Sequence, residues 1–167
     1  MIEAEFRSYR RNLPHFRMRG ATYFVTWHLH ASQDELAGPE RSEVLKSLLH
    51  FHGRRYDLSA FVVMNDHVHT LVAPFDGWTL DDVVQGWKSF TAHQLTKRHV
   101  RLAPVWTSES LDRIVRDQAE FDEKMQYILN NPVKRWPTQV EYPWVGCLSE
   151  VHRESEVPFA ARGPDPR

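Results

Sequence analysis

The sequence lacks the features that would point to an extracellular or membrane protein. Only one of its 167 residues, Cys147, is a cysteine, so no internal disulfide can form. No apolar run approaches the roughly 18 residues that a membrane-spanning helix needs. The first residues also lack the apolar stretch of a secretory signal. These absences predict a cytoplasmic protein with no membrane partner.

An excess of charge of either sign is also missing. The 21 basic and 22 acidic residues leave a net charge of −1, which excludes a uniformly basic coat for nucleic acid. The charges are nevertheless segregated, because residues 1–20 are rich in arginine and residues 83–108 contain no acidic side chain. Such stretches either track a phosphate backbone or form solvated faces. The candidates for backbone contact are Arg10, Arg11, Arg17, Arg19, Lys88, Lys97 and Arg98.

The length of the chain fits one domain with a single core. A basic arm is expected over residues 1–20 and the domain itself over residues 21–150. Residues 151–167 are rich in proline and charge and have few apolar side chains, which predicts a disordered tail.

Apolar periodicity predicts the first half of the domain. Aromatic and β-branched residues at 21–29 predict a strand, and helical spacing predicts a helix from Glu40 to His52. Strands are expected at 58–64 and 67–73. Only Asn65 and Asp66 lie between them, and both residue types tolerate the positive φ of a tight hairpin turn.

The second half of the domain is also predicted to contain helices and strands in turn. A helix is expected after Thr79, which is suited to cap it, and extended segments follow around Trp106 and Ile114. A last helix carries an apolar stripe and is expected to stop at Asn131-Pro132. The order β-α-β-β-α-β plus a helix predicts an α+β fold, a ferredoxin-like (split βαβ) antiparallel sheet with helices on it.

Two histidines at the start of the third predicted strand are the first candidate site. His67 and His69 are two residues apart, so their side chains should share one face while Val68 points into the core. Two imidazoles at this spacing can converge on one metal ion. The alternative is two polar residues on a solvated sheet face.

The last helix offers further candidates. Tyr127 and Asn131 are four residues apart and therefore share one helical face. Docked beside the histidines, that face would bring a phenol and an amide oxygen to the ion. The alternatives are a half-buried helix aromatic for Tyr127 and a helix-terminal residue for Asn131.

At this point the sequence resembles the single-tyrosine HUH transposases, and most closely the REP-associated tyrosine transposases. The segments "YFVTWHL" and "VVMNDHVHTLV" resemble the family's first strand and its histidine strand. The segments "VWTSESLDRIVRD", "YILNNPVKRW" and "EYPW" resemble its C-terminal half. The resemblance extends from about Tyr9 to Trp144.

The resemblance implies a role for each candidate. The metal ligands would be His67, His69 and Asn131, and the last helix would be the catalytic helix, with Tyr127 as nucleophile. The implied reaction is metal-dependent cleavage and rejoining of single-stranded DNA through a 5′-phosphotyrosine. Ligand softness alone favours zinc, copper or nickel, whereas the family implies Mg²⁺ or Mn²⁺.

The implied partner is single-stranded or hairpin DNA, bound by a monomer or homodimer. Trp87, Phe90 and Trp106 are candidates to stack on unpaired bases, with the apolar core as the alternative. The sequence departs from the family at Thr107, where many members have glutamine, and at Asn65, where proline is commoner.

Two other functions compete with this interpretation. The first is a protein that kept the HUH fold and nucleic-acid binding but lost catalysis. The second is a small zinc-dependent hydrolase that uses His67 and His69 with Asp66. The hydrolase is disfavoured because strand alternation should direct Asp66 away from the histidine face.

Overall fold

The computed structural model describes residues 6–10, 14–18 and 20–148. These residues contain seven strands and three helices. In chain order the elements are β1 (Phe6–Arg10), β2 (Pro14–Met18), β3 (Tyr23–Leu29), α1 (Gly38–His50), β4 (Tyr56–Val63), β5 (His67–Pro74), α2 (Leu80–His99), β6 (Trp106–Ile114), α3 (Gln118–Arg135) and β7 (Val145–Cys147).

The central feature is a five-stranded sheet with the strand order β6-β3-β5-β4-β7. All neighbouring strands in it are antiparallel. Because α1 connects β3 to β4 and α2 connects β5 to β6, these four strands have the split βαβ arrangement. The predicted α+β, ferredoxin-like fold is therefore confirmed. The short strand β7, which was not predicted, pairs with β4.

The helices lie on both faces of this sheet. Strand alternation directs Val68 and Val72 of β5 to one face, where they join the core formed with α1 and α2. His69 and Leu71 point to the other face, and Leu71 joins a smaller apolar cluster with Met125 and Ile128 of α3. We call these the α1/α2 face and the α3 face.

The hairpin between β4 and β5 forms as predicted, but its turn differs. Asn65 and Asp66 were expected to adopt positive φ, yet among the described non-glycine residues only Val100 does. The carbonyl groups of Asn65 and Asp66 instead accept hydrogen bonds from the main-chain N–H groups of Leu36 and Leu29, at 2.6 and 2.8 Å. Tethering to neighbouring segments thus fixes a turn that the two residues alone do not specify.

Two helix boundaries differ from the prediction. The first helix begins at Gly38 and ends at His50, two residues earlier at each end than expected. The last helix does not stop at Pro132 but continues to Arg135, where Trp136 N–H donates to the Pro132 carbonyl at 2.8 Å. Pro132 costs one helical hydrogen bond, but it is buried in the packed helix. Tertiary packing therefore overrides the local stop signal.

The ends of the chain are only partly described. Residues 6–18 contain the antiparallel pair β1 and β2 within the expected basic arm, where no strand was predicted. The predicted tail, residues 151–167, lies outside the described residues. Within the described part of the chain, none of the helices combines the length and apolar character that a bilayer span requires.

Candidate active site

The two histidines of β5 lie together on the α3 face. Their ring centroids are 4.6 Å apart, while Val68 between them is fully buried on the opposite face. His69 is buried and His67 is half-buried. The two histidines therefore share one face, as predicted. The His69 imidazole is shielded from solvent, and the His67 imidazole is more accessible.

Each imidazole uses Nδ1 for a protein partner. His67 Nδ1 lies 2.6 Å from a carboxylate oxygen of Asp66, and His69 Nδ1 lies 2.6 Å from the hydroxyl of Thr26. The prediction that Asp66 points away from the histidines is thus wrong, because Asp66 lies in the turn, where strand alternation does not apply. A carboxylate that holds the Nδ1 of a histidine is typical of metal-binding imidazoles.

The other ring nitrogen, Nε2, is left for a ligand. Within the described residues, His69 Nε2 is buried and has no hydrogen-bond partner. Burial, followed by the charges of His67 and His28, lowers the pKa of His69 to about 3. The imidazole is therefore neutral at physiological pH and can offer a lone pair to an electrophile.

A third imidazole, which the sequence analysis missed, completes this surface. His28 of β3 pairs directly with His67, and their ring centroids are 5.4 Å apart. Burial and the neighbouring His67 lower the pKa of His28 below its ordinary value. Strand alternation places His28 and Thr26 on one face of β3, but only the register of β3 against β5 shows which face that is.

Helix α3 brings Tyr127 to the histidines. The centroid of its ring lies 5.2 Å from the centroid of His69 and 5.8 Å from that of Phe24. Tyr127 is 40% exposed, so its ring contacts the site while much of the residue remains open to solvent. An exposed phenol beside a buried, unpartnered imidazole nitrogen is an arrangement that a structural aromatic does not require.

Asn131 lies one helical turn beyond Tyr127 and is half-buried. Since α3 continues to Arg135, Asn131 is an interior residue of the helix and not its last one. Within the described residues no three side chains from His, Cys, Asp and Glu are grouped to hold a metal ion. The Asn131 amide is a neutral oxygen donor on the helix that brings Tyr127 to the site, and its role as a metal ligand beside His67 and His69 stays a prediction.

The three DNA-contact candidates of α2 do not lie at this site. Lys88, Lys97 and Arg98 belong to α2, on the far side of the sheet. Lys88 donates to the Ser108 carbonyl at 3.0 Å, and Arg98 donates to the Glu43 carboxylate at 3.3 Å. The strands β1 and β2 contain Arg10 and Arg17, whereas Arg11 and Arg19 lie outside the described residues. Contact of these seven residues with DNA stays a prediction.

The three aromatic candidates for base stacking differ in exposure. Trp87 and Trp106 belong to the core of the α1/α2 face and cannot stack on DNA in this fold. Phe90 is 54% exposed and remains available. Thr107, at the family's glutamine position, donates to the carbonyl groups of His28 and Glu109 at 3.3 and 3.1 Å.

Comparison with known proteins identifies a family for this chain. Residues 21–131 match the family described as "Transposase IS200 like". A REP-associated tyrosine transposase of Escherichia coli (strain K12) is 26% identical over 153 residues, which cover 87% of this chain and 83% of that protein.

A solved structure has a similar fold. It is the REP-associated tyrosine transposase bound to a REP hairpin, with a TM-score of 0.67 and 22% sequence identity. The match covers 82% of this chain and 80% of the solved one.

Proposed function

The chain belongs to the IS200-like transposase family, and we propose that it cleaves and rejoins single-stranded DNA beside a hairpin, with Tyr127 as the nucleophile. The observation that carries this proposal is the contact between Tyr127 and His69, whose buried Nε2 has no partner within the described residues. The hairpin is proposed as substrate because the solved relative is bound to one.

The residues of the site divide the chemistry between them. Tyr127 attacks the scissile phosphorus, a Tyr–O–P bond forms, and the bond from phosphorus to the 3′-oxygen breaks. The phenol proton is lost, and the departing oxygen gains a proton as a free 3′-hydroxyl. Because one phosphodiester replaces another, attack by a 3′-hydroxyl on the phosphotyrosine reverses the step and rejoins a strand without ATP.

The donor set fits a divalent cation. The Nε2 atoms of His67 and His69 and the amide oxygen of Asn131 would hold it, and Asp66 and Thr26 fix the two imidazoles through Nδ1. Mg²⁺ or Mn²⁺ at this position would withdraw charge from a non-bridging phosphate oxygen.

A covalent-adduct assay tests the proposal. The protein is mixed with hairpin oligonucleotides that carry a single-stranded flank and a fluorescent 3′ end, in Mn²⁺ or in EDTA. Since Tyr127 would retain the strand on the 3′ side of the cut, we expect a fluorescent, SDS-resistant protein band only with Mn²⁺. Hairpin binding without any such band would identify the chain as a binding protein that has lost catalysis.

Single substitutions test the role proposed for each residue of the site. Tyr127→Phe should bind hairpin DNA and form no adduct, whereas the same change at Tyr142 should leave the adduct intact. His67→Ala or His69→Ala should remove metal binding and the adduct together. Asn131→Ala should weaken metal binding and slow cleavage in a folded protein, and an unchanged metal affinity would return Asn131 to a purely structural role.

A further inference from the structure

Two lysines of α3 lie on either side of the candidate nucleophile. Lys124, Tyr127, Asn131 and Lys134 are spaced by three, four and three residues, so they form one stripe along the helix. The ammonium of Lys134 lies 5.3 Å from the centroid of the Tyr127 ring. That of Lys124 lies 5.4 Å from the ring of Phe24, which itself contacts Tyr127.

The two lysines differ in whether a carboxylate neutralises their charge. Lys124 donates to the carboxylate of Glu123 at 3.2 Å. Within the described residues, Lys134 has no carboxylate partner within 4.0 Å, although it is held over the Tyr127 ring. A cation that is fixed by an aromatic face and not by an anion is available to an incoming anion.

A cation at this place would assist the proposed reaction. The scissile phosphate is negatively charged, and further charge develops on its oxygens as the Tyr–O–P bond forms. Positive groups positioned in advance at those oxygens stabilise the transition state more than the ground state. The imidazoles lie on the sheet side of Tyr127, whereas Lys134 comes from the helix.

We propose that Lys134 is a catalytic residue that binds a non-bridging oxygen of the scissile phosphate and holds the Tyr127 ring against it, while Lys124 contacts a flanking phosphate. This inference rests on the proposed function, because it assigns the phosphate its position between Tyr127 and the histidines. It adds a cationic residue that the candidate set of His67, His69, Tyr127 and Asn131 lacks.

The rate of adduct formation at saturating hairpin DNA is the first test. Lys134→Ala should slow it about 100-fold, the usual effect of removing one transition-state donor, and Lys134→Arg should restore most of the rate. Arg135→Ala is the matched control, since it removes the same charge from the next residue, whose guanidinium lies 5.4 Å from the Trp136 ring. Equal slowing by both alanine variants would show a general electrostatic effect and overturn the proposal.

A binding measurement separates this inference from the proposed function, because it needs no chemistry. In a Tyr127→Phe background, hairpin oligonucleotides carry an uncharged methylphosphonate at each flank phosphate in turn. At one position the loss of charge should weaken binding about fivefold when Lys134 is present and not at all with Lys134→Ala. If no position shows that difference, the Lys134 contact is wrong even where the wild-type protein forms an adduct. If one does but no adduct forms, the Lys134–phosphate contact stands, while the proposed chemistry and the catalytic role of Lys134 in it are wrong.

Discussion

The two faces of the central sheet differ in the size of their apolar core and in the side chains that they leave open to solvent. On the α1/α2 face, the core is closed by large aromatic residues such as Trp27, Trp87 and Tyr56. Trp87 Nε1 donates to the Tyr56 hydroxyl at 2.9 Å, and this hydroxyl donates to the Leu48 carbonyl at 2.8 Å. The polar atoms of Trp87 and Tyr56 are thus paired inside an apolar layer, whereas Trp27 Nε1 is buried there without a hydrogen-bond partner in the described residues.

The α3 face has a smaller apolar cluster and leaves polar groups open. His69 Nε2 is buried without a partner in the described residues, and Tyr127 beside it is 40% exposed. An unpaired buried polar atom costs free energy. Since the apolar cluster of the α1/α2 face is much the larger of the two, we infer that it supplies most of the stability, while the α3 face holds the candidate site.

The largest loss of stability on the α1/α2 face is expected when a buried ion pair is removed. Arg101 donates to both carboxylate oxygens of Glu40, and both side chains are largely buried. We expect Arg101→Ala to lower the free energy of unfolding by about 3–5 kcal/mol, because it leaves a buried carboxylate without its cation. Urea unfolding measures the change. The control is Arg98→Ala, since Arg98 pairs with Glu43 at the surface and such pairs contribute at most about 1 kcal/mol.

On the α3 face, His69 should make the free energy of unfolding sensitive to acid. The pKa of His69 is about 3 in the folded protein and about 6.5 in the unfolded chain, so between about pH 3 and pH 6.5 the unfolded chain binds this proton and the folded protein largely does not. The free energy of unfolding should therefore fall as pH drops from about 6.5 towards 3, by up to about 1.4 kcal/mol per pH unit. Urea unfolding in EDTA should show a shallower slope for His69→Gln. Parallel pH curves for the two proteins would contradict the assignment.

Two tyrosines on the α3 side should differ in how much their hydroxyl groups contribute to stability. The hydroxyl of Tyr142 donates to the Val63 carbonyl at 2.6 Å and accepts from Arg41 at 3.0 Å. Tyr142→Phe should cost about 1–2 kcal/mol by urea unfolding, because both partners lose their hydrogen bond. Tyr127→Phe should change stability by less than about 0.5 kcal/mol. A larger loss of stability in Tyr127→Phe than in Tyr142→Phe would contradict the assignment of Tyr142 as the structural tyrosine.

The smallest effect is expected at the end of α2. Val100 adopts φ 57 and ψ 32, a left-handed conformation that a β-branched residue resists, and it is 85% exposed. Val100→Gly should stabilise the protein by about 1 kcal/mol in thermal or urea unfolding, since it relieves strain and removes almost no packing. Leu102→Gly is the control, because Leu102 is similarly exposed without positive φ and should bring no gain.

Local patterns predicted much of this fold. The alternation at His67, Val68 and His69 predicted the shared histidine face, and the apolar stripe predicted for the last helix packs on the sheet through Met125 and Ile128. Thr79 caps α2 as expected, since its hydroxyl accepts from Asp82 N–H at 3.1 Å. These features depend on neighbours within a few residues, so the sequence alone specifies them.

Other features depend on which segments meet. The register of β3 against β5 brought His28 to the site, and tethering of the turn turned Asp66 towards His67. Packing carried α3 through Pro132, and the layering of the helices put Lys88 on the face opposite Tyr127. The sequence by itself determined the elements from β3 to α3, their order and the pair of histidines, because short-range sterics and burial periodicity act within each element. Only the tertiary structure decided which side chains share the site, because register and layering arise from contacts between residues far apart in the chain.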